Sequence, residues 1–84
     1  MNTTAVRTYK GSKATITVTL ADGGTFTRGG KIAERATCVL VSICQEDGLP
    51  FVFGFRTDMQ AAIAETIRSG NPNFQAIAIT EGAK

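Results

Sequence analysis

The stretch that most constrains the fold is residues 57–72, TDMQAAIAETIRSGNP, because it carries the signals of a complete helix. Thr57 and Gln60 have the spacing of a capping box, and Gly70 followed by Pro72 is typical of a helix end. Apolar or small side chains recur at helical spacing between them, at Met59, Ala62, Ile63, Thr66 and Ile67. The pattern predicts a helix over residues 58–69 whose apolar stripe needs a sheet to cover it.

The other regular segments are predicted to be strands. Residues 13–20 alternate between apolar residues and threonine or lysine, which is typical of a strand with one buried face. A second strand follows the turn at Asp22, Gly23 and Gly24, and further strands are expected at residues 37–45, 49–56 and 73–80. The less regular segments are residues 1–12, an edge strand or a flexible basic arm, residues 31–36, at most a short helical turn, and residues 81–84, a frayed tail.

A chain of 84 residues with 43% apolar residues is large enough for one domain with a small core. We therefore predict a single α+β domain over residues 1–84. One mostly antiparallel sheet of four to six strands carries one long helix on one face, in the order β-β-β-β-α-β. The strands before and after the helix are expected to be parallel and joined by a right-handed crossover.

The turn lengths decide which side chains share a face. A three-residue turn at residues 22–24 sets Leu20 opposite Phe26. A three-residue turn at residues 46–48 sets Phe51, Phe53 and Phe55 opposite Ile43, Val41 and Val39, in a core beneath the helix. A two-residue turn, the alternative, sets the same rings opposite Cys44, Ser42 and Leu40.

Residues 37–45, TCVLVSICQ, are the most apolar run of the chain, and neither face of this predicted strand carries a charge. A single helix covers only one of the two faces. The uncovered face is therefore a candidate partner surface or a homodimer contact. A small structural or dimeric adaptor is one function that this feature predicts.

The charges are distributed unevenly along the chain, although the net charge is only +2. Residues 1–36 hold six basic and two acidic side chains, whereas residues 37–84 hold three basic and five acidic ones. We expect a basic end that meets an acidic protein surface or a phosphate backbone, with ordinary solvated charges as the alternative. The predicted partner-binding residues are Arg7, Lys10, Lys13, Lys31 and Arg35.

The residue types that catalysis or metal binding requires do not form a pattern. The chain has no histidine, so Cys38 and Cys44 lack the base that activates a thiol and make a poor metal site. The acidic residues are scattered, and GTFTRGGKI at residues 24–32 departs from a phosphate-binding loop because Ile32 stands where a hydroxyl is needed. We expect no enzyme activity, no catalytic or metal-binding residue and no cofactor.

The cysteines also bear on the compartment. Cys38 and Cys44 lie six positions apart in one predicted strand, about 20 Å at ~3.3 Å per residue, which is too far for a disulfide. Buried thiols are typical of a reducing compartment. The first residues, MNTT, lack the apolar core of a signal peptide, and no run reaches membrane-spanning length. We expect a cytoplasmic protein without membrane contact.

The run PFVFGFR at residues 50–56 resembles the aromatic strand of RNA-recognition motifs, in which alternate rings stack on bases. The alternative function is therefore a module for single-stranded RNA or DNA that uses the basic end together with Phe51, Phe53 or Phe55. Three alternating phenylalanines also fill a core, and the helix stripe needs such a floor. The two interpretations make opposite predictions about the exposure of Phe53.

The plan is completed by one helix, TDMQAAIAETIRSG, and by a last strand, NPNFQAIAIT. The sequence contains no catalytic set. In size and plan the chain resembles the small phage-encoded anti-CRISPR proteins, which are often single α+β domains. The resemblance implies a non-enzymatic protein that inhibits or modulates a macromolecular complex, with a CRISPR-Cas effector in the host cytoplasm as the partner. Many such inhibitors are strongly acidic mimics of nucleic acid, and the net charge of +2 does not fit that mechanism. The resemblance assigns no functional residue.

Overall fold

The computed structural model describes residues 3–82, which form six strands and two helices. The strands are β1 (Thr4–Lys10), β2 (Lys13–Thr19), β3 (Thr25–Gly29), β4 (Cys38–Ile43), β5 (Pro50–Arg56) and β6 (Gln75–Glu81). The helices are α1 (Lys31–Arg35) and α2 (Met59–Ser69). Part of the predicted frayed tail, residues 83–84, and the first two residues of the expected arm or edge strand lie outside the described range. The predicted helical turn after β3 is confirmed as α1.

The six strands form one sheet in the order β3-β2-β1-β6-β4-β5. β1 and β6 are parallel, and the other neighbouring pairs are antiparallel. β1 lies inside the sheet, so the segment predicted as an edge strand or a flexible arm is neither. β5 and β6 run in the same direction, as predicted for the strands that flank the long helix, but β4 lies between them.

The sheet curls until its two edge strands approach each other. Phe26 on β3 and Phe55 on β5 are on opposite edges, yet their ring centroids are only 6.2 Å apart. The predicted fold, one long helix packed on a mostly antiparallel sheet, is therefore wrong. Within residues 3–82 the chain forms a mixed six-stranded sheet that is nearly barrel-shaped, with two helices.

The location of the core explains the difference. The main cluster lies on the inner side of the curled sheet and includes Ile16, Val18, Val39 and Val41, together with Ala33 of α1. The long helix α2 contributes to a smaller cluster on the outer side, where Cys38, Leu40 and Ala62 are buried. Val39 and Val41 thus share one face of β4 and Cys38 and Leu40 share the other, but α2 covers the Leu40 face and not the Val39 face that was predicted to lie beneath the helix. Because the strands curl around their own inner side chains, the sheet itself encloses most of the core that we expected a helix to cover.

The long helix is confirmed, with its start shifted by one residue. Asp58 is the N-cap, because its Oδ1 accepts hydrogen bonds from the N–H groups of Gln60 and Ala61 at 3.0 and 3.2 Å. Gly70 ends the helix in the left-handed conformation, at φ 70°. The apolar stripe is narrower than predicted, since the side chain of Ile63 is 38% exposed and that of Ile67 is 74% exposed.

Both hairpins differ from the predicted registers. Phe26 pairs with Val18 instead of Leu20, although it remains on the predicted face. In the second hairpin the register shifts between Leu40 and Val41, where β4 and β5 form a β-bulge or similar irregularity. Phe55 is opposite Val39, as the three-residue turn predicts, but Phe51 is opposite Ser42, a pairing that neither turn predicts.

Candidate functional site

The register shift turns two phenylalanine rings to the outer side of the sheet. Phe55 packs against the inner cluster, whereas Phe51 pairs with Ser42, which lies on the same side of β4 as Leu40. The exposed fraction is 40% for Phe51 and 55% for Phe53. The prediction that all three rings form a core beneath the helix is therefore wrong. An extra residue in one strand reverses the side-chain alternation along it.

The two exposed rings form one wall of a groove with a volume of about 670 Å³. The end of α2 and Phe74 complete the lining. The rings of Phe53 and Phe74 meet nearly edge-on, with centroids 5.1 Å apart and an interplanar angle of 63°. We call this feature the aromatic groove; its lining residues are Ser42, Ile43, Cys44, Gln45, Glu46, Phe51, Phe53, Ser69, Asn71 and Phe74.

The groove exists because α2 ends before it covers the whole outer side of β4. Ser42 and Cys44 continue the side-chain row of Leu40, but they line the groove instead of packing beneath the helix. After Gly70 the chain folds back in a turn in which the N–H of Phe74 donates to the carbonyl of Asn71 at 3.1 Å. The uncovered face that we predicted for residues 37–45 is thus confined to the end of β4.

The charges around the aromatic groove are mixed and not basic. Arg56 places its guanidinium 5.9 Å from the centroid of the Phe53 ring, and it donates to both carboxylate oxygens of Glu65 at 3.2 Å. Among the described residues that line the groove, only Glu46 carries a charge. The next residue, Asp47, lies in the same turn. The described lining therefore offers no cation that could neutralise the phosphates of a nucleic acid.

The predicted basic residues lie elsewhere, and three of them converge. Lys10 and Lys13 are opposite each other in the β1–β2 hairpin. Lys13 and Lys31 line a second concavity of about 510 Å³ together with Glu34. Arg35, the last residue of α1, is exposed near this region. The basic end is therefore a surface made by β1, β2 and α1.

Arg7 is not part of that surface. The residue is 7% exposed, and its side chain lies on the inner side of β1. The Nη1 group donates to the carbonyls of Ala33 and Glu34 at 3.1 and 2.9 Å, and Nη2 lies 2.7 Å from Oε2 of Glu81. Arg7 therefore ties the end of α1 to β6, and a partner cannot reach it in this structure. Arg7 is two positions from the apolar Ala5, so in a strand both side chains lie on the same side; this spacing was the sequence signal for an inward side chain.

The basic end and the aromatic groove lie at opposite ends of the sheet. β1 and β5 run in the same direction, and Lys10 ends β1, whereas Phe51 lies near the start of β5. Counted along the paired strands, about ten residue steps separate these two residues, which is roughly 30 Å at ~3.3 Å per residue. The structure does not bring together the lysines and rings that we grouped as a nucleic-acid site.

The cysteines fit a structural role. Both thiols are free; Cys38 is buried and Cys44 is half-buried. Burial is the main cause that raises the pKa of Cys38, and Arg56 and Thr37 only partly oppose it. Within residues 3–82, no group of three or more His, Cys, Asp or Glu side chains is placed to hold a metal ion. In the same part of the chain, no helix is both long and apolar enough to cross a membrane.

Phe74 is the groove residue that sequence reasoning missed. The sequence predicts a strand at residues 73–80 that includes Phe74, but β6 begins at Gln75, and Phe74 closes the turn before it. The available signal was NPN at residues 71–73, a typical turn sequence that directly precedes an aromatic residue. Comparison of the chain with protein families, with curated proteins and with solved structures finds no match.

Proposed function

We propose that this chain is a non-enzymatic binding protein that attaches to a larger protein complex through the aromatic groove. The observation that supports the proposal is the exposure of Phe51 and Phe53, 40% and 55%, side by side with Phe74 in one concave surface. Contiguous exposed apolar side chains mark interaction sites, and aromatic residues are enriched among those that dominate binding energy. Phe51 and Phe53 lie on one strand of the curled sheet, and Phe53 contacts the Phe74 ring in the turn after α2.

The charge pattern favours a protein over a nucleic acid as the partner. Glu46 is the charged residue among the described lining of the groove, and Arg56, whose guanidinium lies 5.9 Å from the centroid of the Phe53 ring, is already paired with Glu65. Binding to nucleic acid depends mainly on cations that neutralise phosphates. The basic end, with Lys10, Lys13 and Lys31, is then free to contact an acidic surface elsewhere on the same complex.

The most specific version of this proposal is an anti-CRISPR protein that blocks a CRISPR-Cas effector in the host cytoplasm. The resemblance in size and in the absence of a catalytic set supports it. In that compartment the free thiols of Cys38 and Cys44 stay reduced. A plaque assay on CRISPR-protected bacteria that express the chain tests this version, because an inhibitor restores phage growth and an unrelated binding protein does not.

Affinity purification with matched variants tests the general proposal. Phe53→Ser removes a groove ring, whereas Ile67→Ser removes an apolar side chain that is even more exposed but does not line the groove. We expect one dominant protein complex with the native chain and with Ile67→Ser, and loss of that complex with Phe53→Ser. Equal recovery by all three chains would contradict a role for the groove.

A second candidate function is the binding of single-stranded RNA or DNA. The exposure of Phe51 and Phe53 on an open sheet surface favours it, since bases stack on such rings. The offset of roughly 30 Å along the strands between Phe51 and Lys10 counts against it, because stacked bases and neutralised phosphates are close neighbours on one nucleic-acid strand. Fluorescence anisotropy with a labelled single-stranded oligonucleotide at low salt decides the matter: binding that Phe53→Ser abolishes supports this function.

A third candidate, a dimeric adaptor, makes a separate prediction. The mass of the purified chain in solution distinguishes a monomer from a homodimer built on the open end of β4. A monomeric mass at high protein concentration removes the dimer.

A further inference from the structure

We propose that the aromatic groove receives a basic side chain, arginine or lysine, from an otherwise apolar segment of the partner protein. This inference rests on the proposed function and names the chemistry that the same site recognises. Three aromatic rings and one carboxylate without an intramolecular partner carry the argument; Arg56 lies over the Phe53 ring, but it is paired with Glu65 and is not among the described lining residues.

The rings provide the first part of the site. Phe51, Phe53 and Phe74 line one groove, and the face of an aromatic ring attracts a cation through its negative quadrupole. The protein already shows this interaction, because the guanidinium of Arg56 lies 5.9 Å from the centroid of the Phe53 ring. The ring planes of Phe53 and Phe74 are inclined by 63°, so the faces of these two rings point in different directions within the groove.

The carboxylate provides the second part. Glu46 lines the groove, and within residues 3–82 no hydrogen bond or ion pair engages its side chain. The neighbouring carboxylate is different, since Oδ1 of Asp47 accepts a hydrogen bond from the N–H of Leu49 at 3.0 Å and holds the turn. Glu46 therefore has its acceptor capacity available for a charge-assisted hydrogen bond from an incoming cation.

The size and polarity of the groove fit a side chain together with its flanking residues. A volume of about 670 Å³ lies within the usual range of ligand sites and exceeds what one side chain fills. Ile43 and the three rings offer apolar contact to neighbouring residues and to the aliphatic stem of the basic side chain. An acidic segment, by contrast, meets Glu46 and Asp47 as like charges.

Selection from a phage-displayed library of twelve-residue peptides tests the inference on the intact chain. Peptides are enriched on the native protein after depletion on Phe53→Ser, and the winners are then synthesised for affinity measurements. We expect winners with an arginine or lysine beside apolar residues. Replacing that arginine by citrulline, or that lysine by norleucine, should weaken binding roughly tenfold.

Two protein variants provide the matched control. Glu46→Gln removes the carboxylate of the groove and should weaken the basic peptides by a similar factor. Asp47→Asn removes the same charge from the same turn, but its side-chain oxygen still accepts from Leu49 and does not line the groove, so binding should change less than twofold.

The outcomes separate this inference from the proposed function. Winners that depend on Phe53 but lack a basic residue, or that bind equally well to Glu46→Gln, overturn the inference and leave the groove as a protein-binding site. Failure to recover any peptide that depends on Phe53 overturns both. Basic winners that lose affinity with citrulline or norleucine and with Glu46→Gln support both.

Discussion

The ring of Phe53 meets the ring of Phe74 nearly edge-on, with centroids 5.1 Å apart. This contact joins β5 to the turn that follows α2, two segments separated by the whole helix in the chain. One ring is partly buried against the outer cluster and the other stands mostly in solvent. The pair thus connects the fold to the surface that we propose as the binding site.

The two rings should differ in what they contribute to stability. Phe74→Ala removes a ring that packs against Cys38, Leu40 and Ala62, so we expect a loss of about 2 kcal/mol in the free energy of unfolding. Phe53→Ser removes a mostly exposed ring and should cost less than about 1 kcal/mol. Urea denaturation followed by circular dichroism measures both. Equal losses would show that Phe53 is a core residue.

The side of α2 that faces the sheet is marked by Ala62, whose side chain is a single methyl group. Ala62 is fully buried against Leu40, so Ala62→Asp places a charge among apolar atoms and should unfold the domain. Ile63 is 38% exposed, and Ile63→Asp should lower the free energy of unfolding by only ~1 kcal/mol. Thermal unfolding of the two variants tests this helix orientation. A larger loss in Ala62→Asp supports it, whereas a larger loss in Ile63→Asp would mean that Ile63 faces the sheet.

Arg7 should matter for folding and not for binding. Arg7→Leu leaves the carbonyls of Ala33 and Glu34 without their donor and releases Glu81, at an expected cost of about 2 kcal/mol. Lys10→Ala, at an exposed position on the same strand, should change stability by less than about 0.5 kcal/mol. Chemical denaturation compares them. A partner that still binds folded Arg7→Leu agrees with this assignment.

The thiols should react at different rates. Iodoacetamide should modify half-buried Cys44 in the folded protein and reach buried Cys38 only after urea is added. Mass spectrometry of labelled peptides checks the order of reaction.

The stability of the domain should depend on the ionisation of Cys38. Because burial raises the pKa of Cys38, this thiol ionises at a lower pH in the unfolded chain than in the folded protein. The free energy of unfolding should therefore fall above the ordinary thiol pKa, ~8.5, and Cys38→Ala should show a smaller fall between pH 7 and 10.

Local patterns in the sequence predict the local structure well. The alternation through Ile16 and Val18 identifies the buried side of β2, and the apolar run through Val39 and Val41 identifies a strand covered on both sides. The signals around α2 locate its end at Gly70, and its N-cap differs from the prediction by one residue. Such features depend on neighbours in the chain, so residue order alone carries them.

The curl and the groove depend on contacts that local patterns do not contain. The approach of Phe26 to Phe55 joins strands at opposite edges of the sheet, and no periodicity in either strand indicates it. The register shift beside Leu40 moves Phe53 to the outer side, although the alternation of PFVFGFR is regular. A single bulge moves the following side chains to the other face of the strand. The wrong placement of Phe51 and Phe53 in the core therefore also hid the exposed aromatic groove.

Site-specific photo-crosslinking tests the central claim most directly. The photoreactive residue p-benzoylphenylalanine is introduced at Phe53, at Lys13 of the basic end, and at Thr17, a half-buried control position on the outer side of β2 that does not line the groove. We expect the Phe53 position to form one covalent adduct with the partner complex and Thr17 to form none. An adduct at Lys13 without one at Phe53 would contradict the account, because the partner would then contact the basic end and leave the aromatic groove empty.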